Sequence, residues 1–180
     1  MVVMKTLMLM RHAEAGWTEP GMDDHDRTLS EHGRLDAPVM ARWLAAQARL
    51  PGRVLCSSAS RTWETAALMR EAVPALPEPD VSDALYHAGP GTIMDHLRRL
   101  PDECDSVLLI GHEPGLGSLL RILGGRAGPG LHRACNHFST AAIAVLEANV
   151  DDWIGIGVEN VRFVAFKTPR ELIVNRAPGA

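Results

Sequence analysis

The stretch Lys5-Thr-Leu-Met-Leu-Met-Arg-His12 decides the fold. It is a short apolar run that stops at a charged pair, as a strand buried on both faces does where it emerges from a sheet. Periodicity alone leaves a helix possible. The run is too short to cross a bilayer and has no small-residue cleavage site after it. We interpret it as a buried strand and expect a cytoplasmic protein with no membrane partner.

Two later stretches repeat this pattern. They are Arg53-Val-Leu-Cys56, which ends at Ser57-Ser58, and Ser106-Val-Leu-Leu-Ile110, which ends at Gly111-His112. Each is followed by a helical pattern of apolar residues, and the alternation continues to residue 123. The sequence therefore predicts an α/β protein, a three-layer α/β/α sandwich around a mostly parallel sheet.

The helix expected after the first strand contains a proline. Ser30 is a favourable N-cap residue, and Pro51-Gly52 stops the element. Pro38 has no N–H to donate, so the helix either starts late, near Asp36, or kinks at this proline. Its apolar face is expected to comprise Leu35, Val39, Trp43 and Leu44.

Three further helices are predicted. Ser60 is expected to cap the second helix, which runs to Val73 and places Arg61 in its first turn. The third runs from about Thr92 to Leu100. The fourth starts at residue 114 or 115 and runs to Leu123, before a pair of glycines.

The C-terminal part changes character. Two β-rich runs, Thr140 to Glu147 and Val161 to Lys167, predict a hairpin-like pair that joins the same sheet. No linker or repeat marks a boundary, so residues 1–180 are expected to form a single domain. We expect Gly124 to Gly130 to be a mobile loop and residues 170–180 a frayed tail.

The composition excludes several classes of protein. With 46% hydrophobic and 22% charged residues among 180, it is that of a soluble globular domain. Eighteen basic against 22 acidic residues give a net charge of −4, which lacks the basic excess of a nucleic-acid-binding protein. Three widely spaced cysteines predict neither a disulfide framework nor a zinc site. We expect no nucleic acid partner and a reducing compartment.

Cationic and imidazole side chains follow the three predicted strands where each one ends. Ligands of open α/β sheets bind outside the carboxyl ends of the strands. Here those ends supply Arg11-His12, the stretch from Ser57 to Arg61, and His112. If the strand predictions hold, two imidazoles and two guanidiniums converge on one patch, an arrangement suited to a phosphoryl group.

These residue types indicate covalent phosphoryl transfer. Guanidinium forks match phosphate oxygens and stay cationic, so Arg11 and Arg61 suit a phosphate clamp, aided by free N–H groups at the helix start beside Arg61. An imidazole among cations is pushed towards its neutral, nucleophilic form. His12 could therefore attack phosphorus, and water would then hydrolyse the phosphohistidine. The scheme requires no metal and no cofactor.

Four motifs stand in order along the chain: Leu9-Met-Arg-His-Ala-Glu14, Leu29-Ser-Glu-His-Gly33, Cys56-Ser-Ser-Ala-Ser-Arg-Thr-Trp-Glu-Thr-Ala66 and Leu109-Ile-Gly-His-Glu-Pro-Gly-Leu116. They resemble the histidine phosphatase superfamily, which has the phosphoglycerate mutase-like fold. The last motif is typical of the small SixA-like phosphohistidine phosphatases, which Ala84-Leu-Tyr86 and the stretch 137–143 also resemble. The resemblance spans most of residues 5 to 147.

The resemblance implies a role for each matching residue. His12 would be the covalent nucleophile, with Arg11, Arg61 and His112 forming the phosphate pocket around it. His112 would act as a hydrogen-bond donor or as a cation that stabilises the phosphoryl oxygens, while a water molecule attacks the phosphohistidine in the second step.

Two positions depart from the family pattern. Ala13 replaces the signature glycine, which suggests that the backbone there needs no glycine-only angle. Many larger relatives donate the leaving-group proton from a glutamate, whereas the corresponding stretch here is Leu85-Tyr86-His87. Three alternatives remain open: His87 is the acid, Glu14 or Asp83 reaches the site and acts instead, or the substrate needs little acid help.

The missing glutamate favours a phosphoramidate substrate, because imidazole leaves readily once its ring is protonated. We therefore expect a protein phosphohistidine phosphatase whose partner is a phosphorylated protein. The alternatives are a phosphatase of small phosphorylated metabolites and, in a different class, a catalytically weak phosphoprotein-binding module.

Overall fold

The computed structural model describes residues 4–125 and 129–174. Six strands form one sheet in the order β3-β2-β4-β1-β5-β6. Strands β1, β2, β3 and β4 are parallel, whereas β5 is antiparallel to β1, and β6 to β5. The mostly parallel sheet and its C-terminal hairpin are as predicted. The strands are β1 (Met4–Arg11), β2 (Arg53–Ser57), β3 (Pro79–Ser82), β4 (Ser106–Gly111), β5 (Ile143–Asn149) and β6 (Val161–Lys167).

Helices cover both faces of the sheet, because the central strands are apolar on both. In β1, Leu7 and Leu9 belong to one buried cluster, and Met8 and Met10 to another on the opposite face. The first cluster packs under α3, α4 and α5, the second under α1 and α2. The helices are α1 (Glu31–Ala46), α2 (Ser60–Ala72), α3 (Pro90–Arg98), α4 (Gly115–Leu123), α5 (Pro129–Asn136) and α6 (Pro169–Val174).

The first helix begins where its cap predicts, but only part of its predicted apolar face is buried. The hydroxyl of Ser30 accepts a hydrogen bond from the N–H of Gly33 at 3.0 Å, and α1 starts at Glu31, so the late start is excluded. A Cβ on Gly33 would lie 2.1 Å from the Glu14 carbonyl oxygen, so this position packs directly on the backbone after β1. Leu35, two residues further, points away and is 71% exposed. Of the other predicted residues, Leu44 is buried and Val39 and Trp43 are half-buried. The helix also buries Gly33, Asp36, Ala37, Met40 and Ala41.

The predicted cap of α2 was wrong by one residue. Ser60 is the first helical residue, and the N-cap is Ala59, which forms no side-chain cap. The Ala59 N–H instead donates to the hydroxyl of Ser57 at 3.3 Å. An alanine carries no capping signal in the sequence, and helix ends are in any case defined only to within one or two residues. Arg61 lies in the first turn, as predicted.

Three elements were missed. Strand β3 is short and polar, and α5 begins inside the loop expected at 124–130, of which residues 126–128 lie outside the described part. Helix α6 occupies the start of the expected tail and contacts α1. Residues 175–180, the rest of that tail, lie outside the part of the chain that the structure describes. None of the described helices combines the length and hydropathy needed to span a membrane.

Candidate active site

The structure brings the three strand ends together. β1 and β4 are parallel neighbours with Arg11 opposite Gly111, so His12 and His112 leave the sheet side by side, with ring centroids 5.2 Å apart. Arg61 enters from the first turn of α2 and lies between them. Its Nε is 3.3 Å from His12 Nε2, and its Nη2 is 3.5 Å from His112 Nδ1.

A glycine permits the close packing on the other side of the site. A Cβ on Gly115 would lie 1.9 Å from the carbonyl oxygen of Ala88, so the start of α4 rests directly on the loop that carries His87. This contact holds the segment after His112 against the residues that face it.

The prediction for Ala13 is also confirmed, since the non-glycine residues with positive φ in the described ranges are Ala48, His87 and Ala141.

The hydrogen bonds of His12 define its tautomer. An arginine N–H can only donate, so Nε2 is the acceptor in the contact with Arg61. Nδ1 then carries the proton and donates to the carbonyl of Ala13 at 2.7 Å. Burial, followed by the nearby arginines, lowers the pKa of His12 to about 4. At neutral pH its Nε2 therefore presents a free lone pair to the pocket.

His112 is held by a serine that sequence reasoning gave no role. Its Nε2 lies 2.8 Å from the hydroxyl of Ser57, which is fully buried at the end of β2. Because Nδ1 faces an Arg61 donor, Nε2 carries the proton and donates to Ser57. Burial, with the neighbouring His12 and Arg61, lowers the pKa of His112 to about 3.

Arg61 is almost fully buried and bound to a loop residue. Its Nη1 donates to the backbone carbonyl of Asp24 at 2.6 Å, and its Nη2 to the Asp24 carboxylate at 2.9 Å. Asp24 also accepts hydrogen bonds from Arg27 and Tyr86. The guanidinium of Arg61 thus has fixed partners that set its plane beside His12.

Arg11 offers an unpaired donor. Its Nη1 donates to the carbonyl of Phe138 at 3.0 Å, whereas its buried Nε has no hydrogen-bond partner within residues 4–125 and 129–174. An unpaired buried N–H costs about 1–3 kcal/mol, so a bound acceptor would be favourable there. Burial raises the pKa of the nearby Glu113 carboxyl, whose Oε1 accepts from the N–H of Gly117.

Two of the three acid candidates line the pocket. His87 does so, with its Nε2 3.1 Å from the Asp24 carboxylate. Glu14 also does so, but its Oε1 accepts a hydrogen bond from Ser30 at 2.8 Å. Asp83 is exposed and does not line it. The cavity has a volume of about 320 Å³ and is lined by Arg11, His12, Glu14, Ala15, Asp24, Arg27, Arg61, His87, His112, Glu113 and Thr140.

Sequence reasoning missed several residues at this site. Asp24 belongs to the acidic stretch Asp23-Asp24-His25-Asp26, none of whose residues was predicted to be part of the site. Arg27 contacts Asp24 at 3.0 Å and the carbonyl of Gly16, and so links the two sides of this loop. No signal in that loop separates the inward carboxylate from its exposed neighbours. Within the described ranges, no cluster of His, Cys, Asp and Glu is arranged to hold a metal ion.

The model of the histidine phosphatase superfamily, branch 1, matches residues 7–146 of this sequence. The chain belongs to the histidine phosphatase superfamily. It is accordingly a phosphatase, and the family and fold predicted from the motifs are confirmed.

Similar proteins extend this assignment over nearly the whole chain. An uncharacterized protein of Mycobacterium tuberculosis is 32% identical over 164 residues, which cover 89% of this chain and 100% of the relative. A solved structure assigned as the phosphohistidine phosphatase SixA of Nakamurella multipartitia superposes with a TM-score of 0.81 at 26% identity, covering 92% of this chain and 96% of that one. A protein histidine phosphatase SixA complexed with tungstate gives a TM-score of 0.76 at 27% identity, covering 93% and 99%.

Proposed function

We propose that this superfamily member hydrolyses phosphohistidine in a protein substrate through a phosphorylated His12. The observation that carries the proposal is the tautomer of His12. Its proton is committed to Ala13, and its Nε2 lone pair faces the pocket beside Arg61. A nucleophile that is already deprotonated at neutral pH needs no general base.

The cations around His12 fit the developing charge of phosphoryl transfer. Arg11 contributes an unpaired buried N–H, and Arg61 presents a guanidinium held in one plane. Such preorganised donors commonly supply the largest share of transition-state stabilisation. Tungstate, which the SixA structure holds, is an oxyanion of similar shape to phosphate, and we expect it to bind here between His12 and His112.

His112 would act as a cation once a phosphoryl group binds. Its Nε2 proton is directed at Ser57, so a donor bond from the Nδ1 side requires a second proton. Burial, followed by His12 and the cationic Arg61, keeps its pKa low, and a phosphoryl dianion would raise it. Of the two forms expected for His112, this geometry favours the cation.

The side chains that could protonate the leaving group bear on the substrate class. The Asp24 carboxylate is surrounded by hydrogen-bond donors, chiefly Tyr86, which hold its pKa well below the usual range, so it is no acid. His87 remains the acid candidate best placed in the pocket, because the Glu14 carboxylate is engaged by Ser30. A leaving group that needs little acid help suits this pocket better than an alkoxide does. We therefore favour phosphohistidine over a metabolite ester.

The test is to trap the intermediate. The purified protein is mixed with a labelled phosphodonor and quenched, and the label should be acid-labile, base-stable and absent from His12→Ala. His132→Ala, which changes an exposed histidine, is the matched control and should label normally. Wild-type protein that never acquires label would contradict the proposal and favour a binding module.

A second arm identifies the substrate class. A phosphohistidine peptide and a panel of sugar and metabolite phosphates are compared by kcat/KM. Faster turnover of the peptide supports the proposal. Brisk turnover of alkyl phosphates, with no release from the phosphohistidine peptide, would instead indicate a small-molecule phosphatase.

A further inference from the structure

The carboxylate of Asp24 lies in the pocket, yet the two-step scheme above gives it no chemical role. Its Oδ1 accepts from Arg27 at 3.0 Å, and its Oδ2 from Tyr86 at 2.7 Å and from Arg61 at 2.9 Å. One donor from the same loop and two from distant parts of the sequence therefore fix this carboxylate. Its side chain is still 44% exposed, so a ligand in the cavity can reach it.

The donors around Asp24 keep it ionised. Hydrogen bonds from Tyr86, Arg27, His87 and Arg61 hold the pKa of this carboxyl well below its ordinary value, against a smaller opposing effect of burial. A permanent anion beside a phosphate pocket opposes the binding of phosphate. A favourable contact between the Asp24 carboxylate and the part of the substrate that carries the phosphoryl group would offset this effect.

An imidazole already binds this carboxylate. The Nε2 atom of His87 lies 3.1 Å from Asp24 Oδ2, and the His87 side chain is 51% exposed. The contact shows that an imidazole N–H can reach Asp24 from the cavity side. Because the His87 ring is open to solvent, a substrate imidazole can exchange with it or bind beside it.

The guanidinium of Arg61 contacts both the Asp24 carboxylate and His12, the proposed nucleophile. Its Nε points at His12 Nε2 and its Nη2 at the Asp24 carboxylate, so the two groups occupy different edges of one planar cation. A phosphoryl group bound to Arg61 would have His12 on one side and the Asp24 carboxylate on the other. The carboxylate could then contact the leaving group, which departs on the side opposite His12.

We propose that Asp24 forms a leaving-group subsite that takes a protonated nitrogen base, the imidazolium ring of phosphohistidine. The inference rests on the proposed function and deepens it. In the first step, the Nε2 lone pair of His12 forms the new N–P bond, and the electron pair of the breaking P–N bond returns to the substrate ring. That ring keeps the proton on its other nitrogen and leaves as neutral imidazole. Asp24 accepts a hydrogen bond from that N–H and so favours the protonated, reactive form of the substrate.

The same carboxylate would select against other phosphate compounds. A metabolite with a carboxylate or a second phosphate close to the reacting group would place like charges near Asp24, which is unfavourable. An ester with an uncharged leaving group would gain nothing from it. Asp24 thus makes the pocket selective for phosphoramidates.

The experiment compares Asp24→Asn with Asp26→Asn on two substrates. Asp26 belongs to the same acidic loop, but its carboxylate is 70% exposed and faces His25. The substrates are a phosphohistidine peptide and p-nitrophenyl phosphate, whose leaving group needs no protonation. For Asp24→Asn we expect kcat/KM on the peptide to fall by about tenfold to a hundredfold, the effect of losing a charge-assisted hydrogen bond. Turnover of p-nitrophenyl phosphate should fall much less than turnover of the peptide, because only the positioning of Arg61 is disturbed there. Asp26→Asn should behave as wild type on both substrates.

Vanadate inhibition separates this role from a merely structural one. Asp24→Asn keeps the backbone carbonyl that accepts from Arg61 Nη1 and removes an anion that competes for the guanidinium, so vanadate affinity should be unchanged or tighter. Weaker vanadate binding and an equal loss on both substrates would mean that Asp24 only positions Arg61, and would overturn the subsite. An unchanged kcat/KM on the peptide would also overturn it. If the wild-type protein does not release phosphate from the peptide at all, it is the proposed function that fails.

Discussion

The Nε–H of Arg61 points at the Nε2 atom of His12 across 3.3 Å. A permanent donor therefore faces the lone pair of the imidazole, and a proton on Nε2 would bring two cations together. The contact relates the charge of Arg61, the proposed phosphate clamp, to the reactivity of His12, the proposed nucleophile, so changes to either residue should affect both binding and chemistry.

Removing the clamp should be costly. Arg61→Ala deletes the guanidinium that lies between the two histidines, and we expect kcat/KM to fall by about 10²–10³, as for the loss of one oxyanion donor. Tungstate or vanadate affinity, measured by calorimetry or inhibition, should fall sharply as well. Arg98→Ala, at an exposed position of α3, is the control. Oxyanion binding that is indifferent to Arg61 would contradict this assignment.

Activity should persist in acid. The pKa of His12 is lowered to about 4 by burial and by neighbouring arginines, so its lone pair is free at any higher pH. The acidic limb of phosphoenzyme formation should therefore lie near pH 4, rather than near the ordinary histidine pKa of about 6.5. Rapid-quench labelling with two phosphodonors of different pKa would measure this limb. A limb at the same pH with both donors belongs to the enzyme rather than to the donor. A limb near pH 6.5 with both donors would mean that His12 is solvated.

The same pKa shift predicts a loss of stability in acid. Between about pH 6.5 and 4, the unfolded chain binds a proton at His12 that the folded chain does not. The free energy of unfolding contributed by this site is therefore fully present above pH 6.5 and declines as the pH falls towards 4. Urea unfolding of wild-type protein and His12→Gln across this range would measure it. The variant should lose less stability between pH 7.5 and 5, and parallel losses would show that His12 contributes nothing.

Ser57 should support His112. Ser57→Ala leaves the Nε2–H of a buried imidazole without its partner, so we expect a stability loss of about 1–3 kcal/mol. The freed ring should also reduce kcat/KM and move the pH profile. Ser118→Ala, at a half-buried serine of α4, is the matched change. A pH profile identical to that of the wild type would limit Ser57 to a structural role.

Two glycines offer an opposed pair of variants. Gly115→Ala would place a Cβ 1.9 Å from the Ala88 carbonyl, so the start of α4 or the His87 loop must move, at a cost of about 1–3 kcal/mol. Gly91→Ala meets no atom within 4 Å in α3 and should stabilise by up to about 1 kcal/mol. Thermal unfolding measures both. Equal effects would show that the contact at Gly115 is easily relieved.

The elements that could be predicted are those with a strong local pattern. Strands β1, β2 and β4 are uninterrupted apolar runs with polar ends, and β6 starts and ends at the predicted residues. Strand β3 was missed because it is an edge strand with half-exposed, polar residues and so carries no apolar run. The buried face of α1 was predicted only in part, since Leu44 is buried but Leu35 is exposed. A close backbone approach at Gly33, rather than the apolar pattern, sets the rotation of this helix.

The sequence by itself determined the strand ends that carry Arg11, His12 and His112 and the helix start that carries Arg61, because each follows a pattern readable within about ten residues of chain. Only the tertiary structure decided what surrounds them. Asp24 and His87 are 63 residues apart in sequence, and His112 and Ser57 are 55 apart, yet both pairs are in hydrogen-bond contact. The physical reason is that burial and long-range contacts, which set the tautomers and pKa values, arise only when strands distant in sequence are brought side by side.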